Sequence, residues 1–142
     1  VVSARQERAR LYASTRLAIA CAGTATLELA MADVPMVVTY VMEPAQARKF
    51  GALGRPSVGL PNIILGTGVT PEHVAERIEA ADLVSAAGAL LDSPKKRAAQ
   101  RLAFARLRLL MTTGTPDAPR QDPAERILSL VARDDQRLSI GT

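Results

Sequence analysis

Residues 17–41 read LAIACAGTATLELAMADVPMVVTYV, and their reading decides the fold. Leu17 to Ala22 is a short continuous apolar run, the pattern of a strand buried on both faces. Gly23 and Thr24 turn the chain. Strong helix formers carry it from Ala25 to Ala32. Asp33 and Pro35 end that helix, because the residue before a proline is pushed out of the α region. Met36 to Val41 is then a second strand, β-branched and bounded. This alternation of strand, helix and strand is the signature of an α/β domain with a parallel sheet.

Outward from this unit the same alternation continues. A charged helix precedes it, from Ser3 to about Ser14. Pro44 to about Leu53 is a helix ended by Gly54. An extended run follows from Ser57 to Gly59, then a Leu60-Pro61-Asn62 corner. Thr70-Pro71-Glu72 has a cap residue followed by proline, which predicts a helix to about Ala81. A shorter helix spans Asp82 to Leu91. Ser93-Pro94 repeats the signal and opens a long helix from Lys95 to about Thr113. After a loop at 114–121, Asp122-Pro123-Ala124-Glu125 starts a last helix through Arg133, with a capping-box glutamate. The expected fold class is α/β: a partial Rossmann-like parallel sheet of about three strands flanked by helices, with a helical C-terminal tail. One domain over 1–142 is expected, with its Rossmann-like part at 15–92, C-terminal helices at 93–135 and a disordered tail at 136–142.

Bulk properties narrow the function. A chain of 142 residues suits one domain with a real core. A composition of 48% hydrophobic and 23% charged residues is that of a globular protein. The net charge of +4 raises a polyanionic partner, but aromatics at 3% leave no base-stacking platform, so no nucleic acid is expected. One histidine gives no material for a Ser-His-Asp triad, and His73 has no identifiable acid partner. The single Cys21 excludes an internal disulfide and a multi-cysteine zinc site, and reads as packing. No metal and no cofactor are expected. No stretch approaches the roughly 18 apolar residues of a membrane span. The N-terminus VVSARQERAR lacks the apolar centre of a signal peptide, so a cytoplasmic location is expected.

Three features carry chemistry. A strand ending in Gly23-Thr24 and feeding a helix presents free backbone N–H groups that, with the helix dipole, attract phosphate. Glu28 lies one turn further along the same face. Its carboxylate suits a ribose diol. A Gly-Thr turn is common, and also reads as a plain tight turn with Thr24 as cap and Glu28 on the surface. The Asn62 amide, held by Pro61, is a candidate substrate contact, or simply a turn residue. Between Ser93 and Pro116 there are six basic residues and no acid. Arg97, Arg101 and Arg108 share one stripe of that helix, suited to an anionic lipid surface or phosphate, or to an ordinary solvated face.

AGTATLELAMADVPMVVTYVMEP followed by VGLPNIILGTGVTPE resembles the C-terminal half of lipid-A-disaccharide synthases, an inverting glycosyltransferase family of the two-lobed GT-B architecture. The family pattern is approximately Ser-Gly-Thr-Ala-Thr-Leu-Glu, then Pro-Met-Val-Val-x-Tyr, then Ser-Leu-Pro-Asn-Leu-Ile-x-Gly-Arg-Glu. The match runs from about Leu17 to Glu72 in register. The resemblance implies transfer of 2,3-diacylglucosamine from UDP to 2,3-diacylglucosamine 1-phosphate, without a metal, at the cytoplasmic face of the inner membrane. It makes Gly23, Thr24, Thr26, Glu28 and Asn62 the nucleotide-binding candidates, with Gly23 and Thr24 near the diphosphate and Glu28 at the ribose. It also implies that the UDP-diacylglucosamine donor, an N-terminal lobe or a homo-oligomer partner, and anionic membrane are the things this chain meets. No catalytic residue is expected here, since the family's general base lies in the N-terminal lobe.

The chain departs from the pattern at four positions. The serine before Gly-Thr is Ala22, and the arginine after the Asn-loop glycine is Thr67. The basic residue after the tyrosine is Val41, and the glutamine after Pro-Glu is Ala75. Each removes a polar donor, and an ordinary hydrogen bond contributes about 0.5–1.5 kcal/mol net. Two alternatives therefore accompany the resemblance: a diverged non-catalytic GT-B lobe acting as a binding or interaction module, and a GT-B transferase for another nucleotide sugar.

Overall fold

β2 (Met36–Val41) runs through the middle of a three-stranded parallel sheet, between β1 (Ala18–Cys21) and β3 (Glu72–Ala75). The computed structural model describes residues 4–116 and 119–139. Ala18 pairs with Met36 and Cys21 with Thr39, while Val38 pairs with Glu72 and Val41 with Ala75. A central parallel strand is covered on both faces; accordingly Met36, Val37 and Val38 are each fully buried. Helices α1 (Ala4–Ser14), α2 (Thr24–Met31), α3 (Pro44–Ala52), α4 (Leu60–Leu65), α5 (Ala80–Leu91) and α6 (Pro94–Thr113) surround or follow the strands. The chain divides into two compact units, Val1–Arg108 and Leu109–Thr142. In the second, Gly114 and Pro119 form an antiparallel bridge, and α7 (Pro123–Ser139) follows, capped by Asp122 through the N–H groups of Ala124 and Glu125.

The first unit's core joins Ala20 of β1, Leu29 and Ala30 of α2, Val34, Met36 and Val38, and Phe104 and Leu107 of α6. α6 reaches the sheet through more than apolar contact. The buried Gln100 accepts from the Met36 N–H at 2.8 Å and donates to the Met36 carbonyl at 3.1 Å. A side-chain amide thus completes the hydrogen bonding of β2 before β3 begins to pair with it.

α2 ends with Asp33 at φ 64°. The Asp33 N–H bonds to Ala30 O and the Val34 N–H to Leu29 O, which is a Schellman closure with aspartate where glycine is usual. Val34 and Leu29, the pair such a closure brings together, are both buried.

The parallel α/β class and the positions of the first two strands are as the sequence predicts, but β1 is an edge strand and is not buried on both faces: Ile19 and Cys21 are exposed, so Cys21 is not a packing residue. Residues 57–81 are different. The extended run at 57–59 is loop, and the Leu60-Pro61-Asn62 corner is the first turn of α4, where a proline within the first turn is well tolerated. The third strand is at Glu72–Ala75, inside the stretch expected to be helix from Thr70 to Ala81. The cap signal fails because its main-chain and side-chain groups are committed elsewhere. Thr70 bonds to Asn62, Pro71 O accepts from the Val38 N–H, and the Glu72 carboxylate holds the backbone before α4. α7 runs past the expected Arg133 to Ser139 and so takes in 136–139 of the expected tail. Residues 140–142 of that tail lie outside the described residues.

Candidate nucleotide-binding turn

β1 ends at Cys21, and the Ala22 N–H still bonds to Thr39 O before the chain leaves the sheet. Gly23 then adopts φ 143°, ψ −165°, a region essentially restricted to glycine. A Cβ built there meets nothing within 4 Å, so glycine is required by the backbone angle and not by crowding. Among the described residues no side chain caps α2. Thr24 and Ala25 are exposed, and the first-turn N–H groups of an uncapped helix suit an anion.

The candidate residues divide into two sets. Gly23, Thr24 and Glu28 are exposed along one side of α2. Thr24 and Glu28 are four residues apart, about 6 Å along the helix axis. The Glu28 Oε2 lies 3.3 Å from Arg8 Nη1 and accepts from the Tyr12 hydroxyl at 3.4 Å. Arg8, Tyr12 and Glu28 border an open groove of about 490 Å³ between α1 and α2, also lined by Leu27 and Met31; Gly23 and Thr24 do not line it. Arg8 and Tyr12 were not legible in the sequence as site residues. Their only signal is that Tyr12 is one of very few aromatics in the chain.

Thr26 and Asn62 face inward. The Thr26 hydroxyl is buried, donates to Gly23 O at 2.7 Å and accepts from the Leu60 N–H at 3.3 Å. It therefore fastens the turn to the start of α4. Asn62 is 3% exposed, and its side-chain amide is fully engaged with its own chain. Its Nδ2 donates to Thr70 O and to Glu72 Oε1; its Oδ1 accepts from Val69 N–H, Thr70 N–H and the Thr70 hydroxyl. Both donors of an amide are then in use. Asn62 shapes the wall behind the turn and presents no group to a ligand.

Glu72, another residue the sequence did not single out as a site residue, holds the backbone that leads into α4. Its carboxylate accepts from Val58 N–H at 3.0 Å and Gly59 N–H at 2.9 Å. α4 packs against α2, and neither helix has a side-chain cap at its N-terminus.

The basic stripe of α6 is also turned to the chain. Arg97 donates to Leu90 O and Leu91 O at the end of α5. Arg101 donates to Asp33 O, and Arg108 donates to Ala30 O and the Asp33 carboxylate at the end of α2. Positive charge at helix C-termini satisfies open carbonyls and complements the helix dipole. Among the described residues no helix is long and apolar enough to cross a membrane, and no group of three or more His, Cys, Asp or Glu is placed to hold a metal.

Comparison with known proteins identifies a family. The family model described as lipid-A-disaccharide synthetase matches residues 1–118. A lipid-A-disaccharide synthase of Gluconobacter oxydans is 37% identical over 108 residues, covering 74% of this chain and 26% of that protein. Those of Rhodopseudomonas palustris (strain BisB18) and Nitrobacter hamburgensis are 34% and 35% identical, each over 92% of this chain and 33% and 32% of their own lengths. The chain therefore spans a quarter to a third of the curated relatives it matches. No solved structure matches.

Proposed function

Since the chain belongs to the lipid-A-disaccharide synthase family, we propose that it is the UDP-sugar-binding part of such a synthase, acting in lipid A biosynthesis. The reaction is transfer of 2,3-diacylglucosamine from UDP to 2,3-diacylglucosamine 1-phosphate. The observation that carries the reading is the turn at Gly23, whose glycine-only backbone leads into a helix without a side-chain cap.

In this reading the N–H groups of Thr24 and Ala25 meet the diphosphate, and the Thr24 hydroxyl adds a bond. Glu28 accepts from the ribose hydroxyls, exchanging its contacts with Arg8 and Tyr12 for them. Thr26 and Asn62 are positioning residues that hold the turn and the wall behind it. The work of this region is alignment and stabilisation of the departing UDP, with no covalent intermediate on the protein. The general base comes from residues outside this chain, supplied by the rest of the synthase or a partner. The outer edge of β1 is unpaired among the described residues and suits that partner. Peripheral contact with anionic membrane belongs to the same proposal. Lys95, Lys96 and Arg106 are the exposed cations of α6 for it, the other three arginines being bonded to helix ends.

Thermal melting of the chain with UDP, against GDP, tests the reading. Binding to the folded state stabilises by RT ln(1 + [L]/Kd), about 2.7 kcal/mol at a hundredfold excess over Kd. A UDP-selective rise in Tm is expected. A folded sample with no UDP response would favour a lobe that has kept its fold and lost its nucleotide, a reading supported by Ala22, Val41, Thr67 and Ala75 in place of the family's polar residues.

A further inference from the structure

Arg8 and Tyr12 lie one turn apart on α1, and both reach the same oxygen on α2. Arg8 Nη1 is 3.3 Å from Glu28 Oε2, and the Tyr12 hydroxyl donates to that Oε2 at 3.4 Å. Among the described residues Glu28 Oε1 has no partner. Each oxygen of a carboxylate accepts, so the group holds a vicinal diol most fully with one hydroxyl on each. Half of that grip is already taken by the chain itself.

α1 can give the oxygen up without disturbing the core. From Gln6 to Ser14 every residue is exposed except Tyr12, which packs against the core. The Arg8–Glu28 pair is about half exposed on both sides, and such a pair contributes little to stability. A bond of 3.4 Å is long for a hydroxyl donor. The groove beside the pair, lined by Ala9, Leu27 and Met31, gives displaced side chains space to turn into. The helix backbone at Glu28 is fixed, because Leu29 and Ala30 after it are buried. The carboxylate therefore stays in place and changes partners.

We propose that Arg8 and Tyr12 form a latch that competes with the ribose for Glu28, an inference that rests on the nucleotide reading of the Gly23 turn. In the free chain the latch holds Oε2. A nucleotide whose diol takes both oxygens displaces it, and its return helps the spent UDP leave, since differences in affinity fall mainly on the off-rate. A ligand that reaches only the N–H groups of Thr24 and Ala25 does not meet the latch.

Calorimetric titration of the parent, Arg8→Gln and Tyr12→Phe with UDP, 2′-deoxy-UDP and inorganic pyrophosphate tests the proposal. Arg8→Gln should bind UDP about two- to fivefold tighter, the strength of an exposed ion pair. Tyr12→Phe keeps the ring against the core and should shift UDP the same way by less. The gain should be smaller for 2′-deoxy-UDP, which brings one hydroxyl fewer, and absent for pyrophosphate. Added salt should narrow the gap between the parent and Arg8→Gln, because it screens the pair. In a Glu28→Gln background, Arg8→Gln should change UDP binding no further. A parent that binds UDP while the folded Arg8→Gln chain binds it equally or more weakly overturns the latch and leaves the nucleotide reading standing. So does an equal gain for UDP and pyrophosphate. A UDP response that appears only in Arg8→Gln supports the latch in its strongest form. Folded parent and variants that all ignore UDP overturn both readings.

Discussion

Asn62 Nδ2 lies 2.7 Å from Glu72 Oε1, at the centre of the bonds that tie the start of α4 to β3. Around it the Asn62 oxygen takes three donors and Glu72 takes two backbone N–H groups. Asn62→Ala leaves several of these groups buried without partners. A loss of about 2–4 kcal/mol is expected, read as a lowered urea midpoint with unchanged m. A stability near the parent's would show that this network contributes little to the fold.

Gly59 sits where this network closes on β2. A Cβ there would lie 3.0 Å from Glu72 Oε1 and 3.2 Å from Val38 Cγ2. Val38 is fully buried and cannot retreat. Gly59→Ala should therefore cost about 1–3 kcal/mol by crowding, measured in the same urea titration.

Gly23→Ala isolates a different cause. The space around Gly23 is open, so only the angle of φ 143° opposes a side chain. Strain of about 1–3 kcal/mol is expected. If the turn relaxes to escape it, the UDP-dependent rise in Tm should vanish while the fold survives. The paired measurement is Tm with and without UDP.

Asp33 offers a comparison of two substitutions at one site. Its ion pair with Arg108, at 3.1 Å, is about a third to a half exposed on both sides and contributes about 0–1 kcal/mol. Asp33→Gly loses the pair but relieves φ 64°, while Asp33→Ala loses the pair and keeps the strain. The glycine variant should be about 1 kcal/mol more stable than the alanine variant, by thermal or urea unfolding.

The first two strands and the helix between them were legible because local signals agreed: an apolar run, a Gly-Thr turn, helix formers, then Pro35 before a β-branched run. The caps at Ser93 and Asp122 were legible for the same reason, and Lys96 N–H to Ser93 Oγ and Ala124 N–H to Asp122 Oδ1 are in place. Thr70-Pro71-Glu72 carried an equally good local signal and was misread. Its side chains answer to Asn62, Val58 and Gly59, which no local window includes. At the candidate site, Gly23, Thr24 and Glu28 were placed on one face by spacing alone. That Asn62 turns inward, and that Arg8 and Tyr12 reach Glu28, depends on packing between elements. The arginine stripe was visible as a stripe. Its partners are main-chain carbonyls, which a sequence does not mark.

Gln100 holds both main-chain atoms of Met36 and none of its side chain. It therefore recognises a position along β2 and is indifferent to which apolar residue occupies it, behaving as a detent on a sliding rod. A strand displaced by one residue would present its amide and carbonyl to the opposite edge and leave the Gln100 amide buried with nothing to grip. The helix thereby checks the alignment of a sheet to which it contributes no strand.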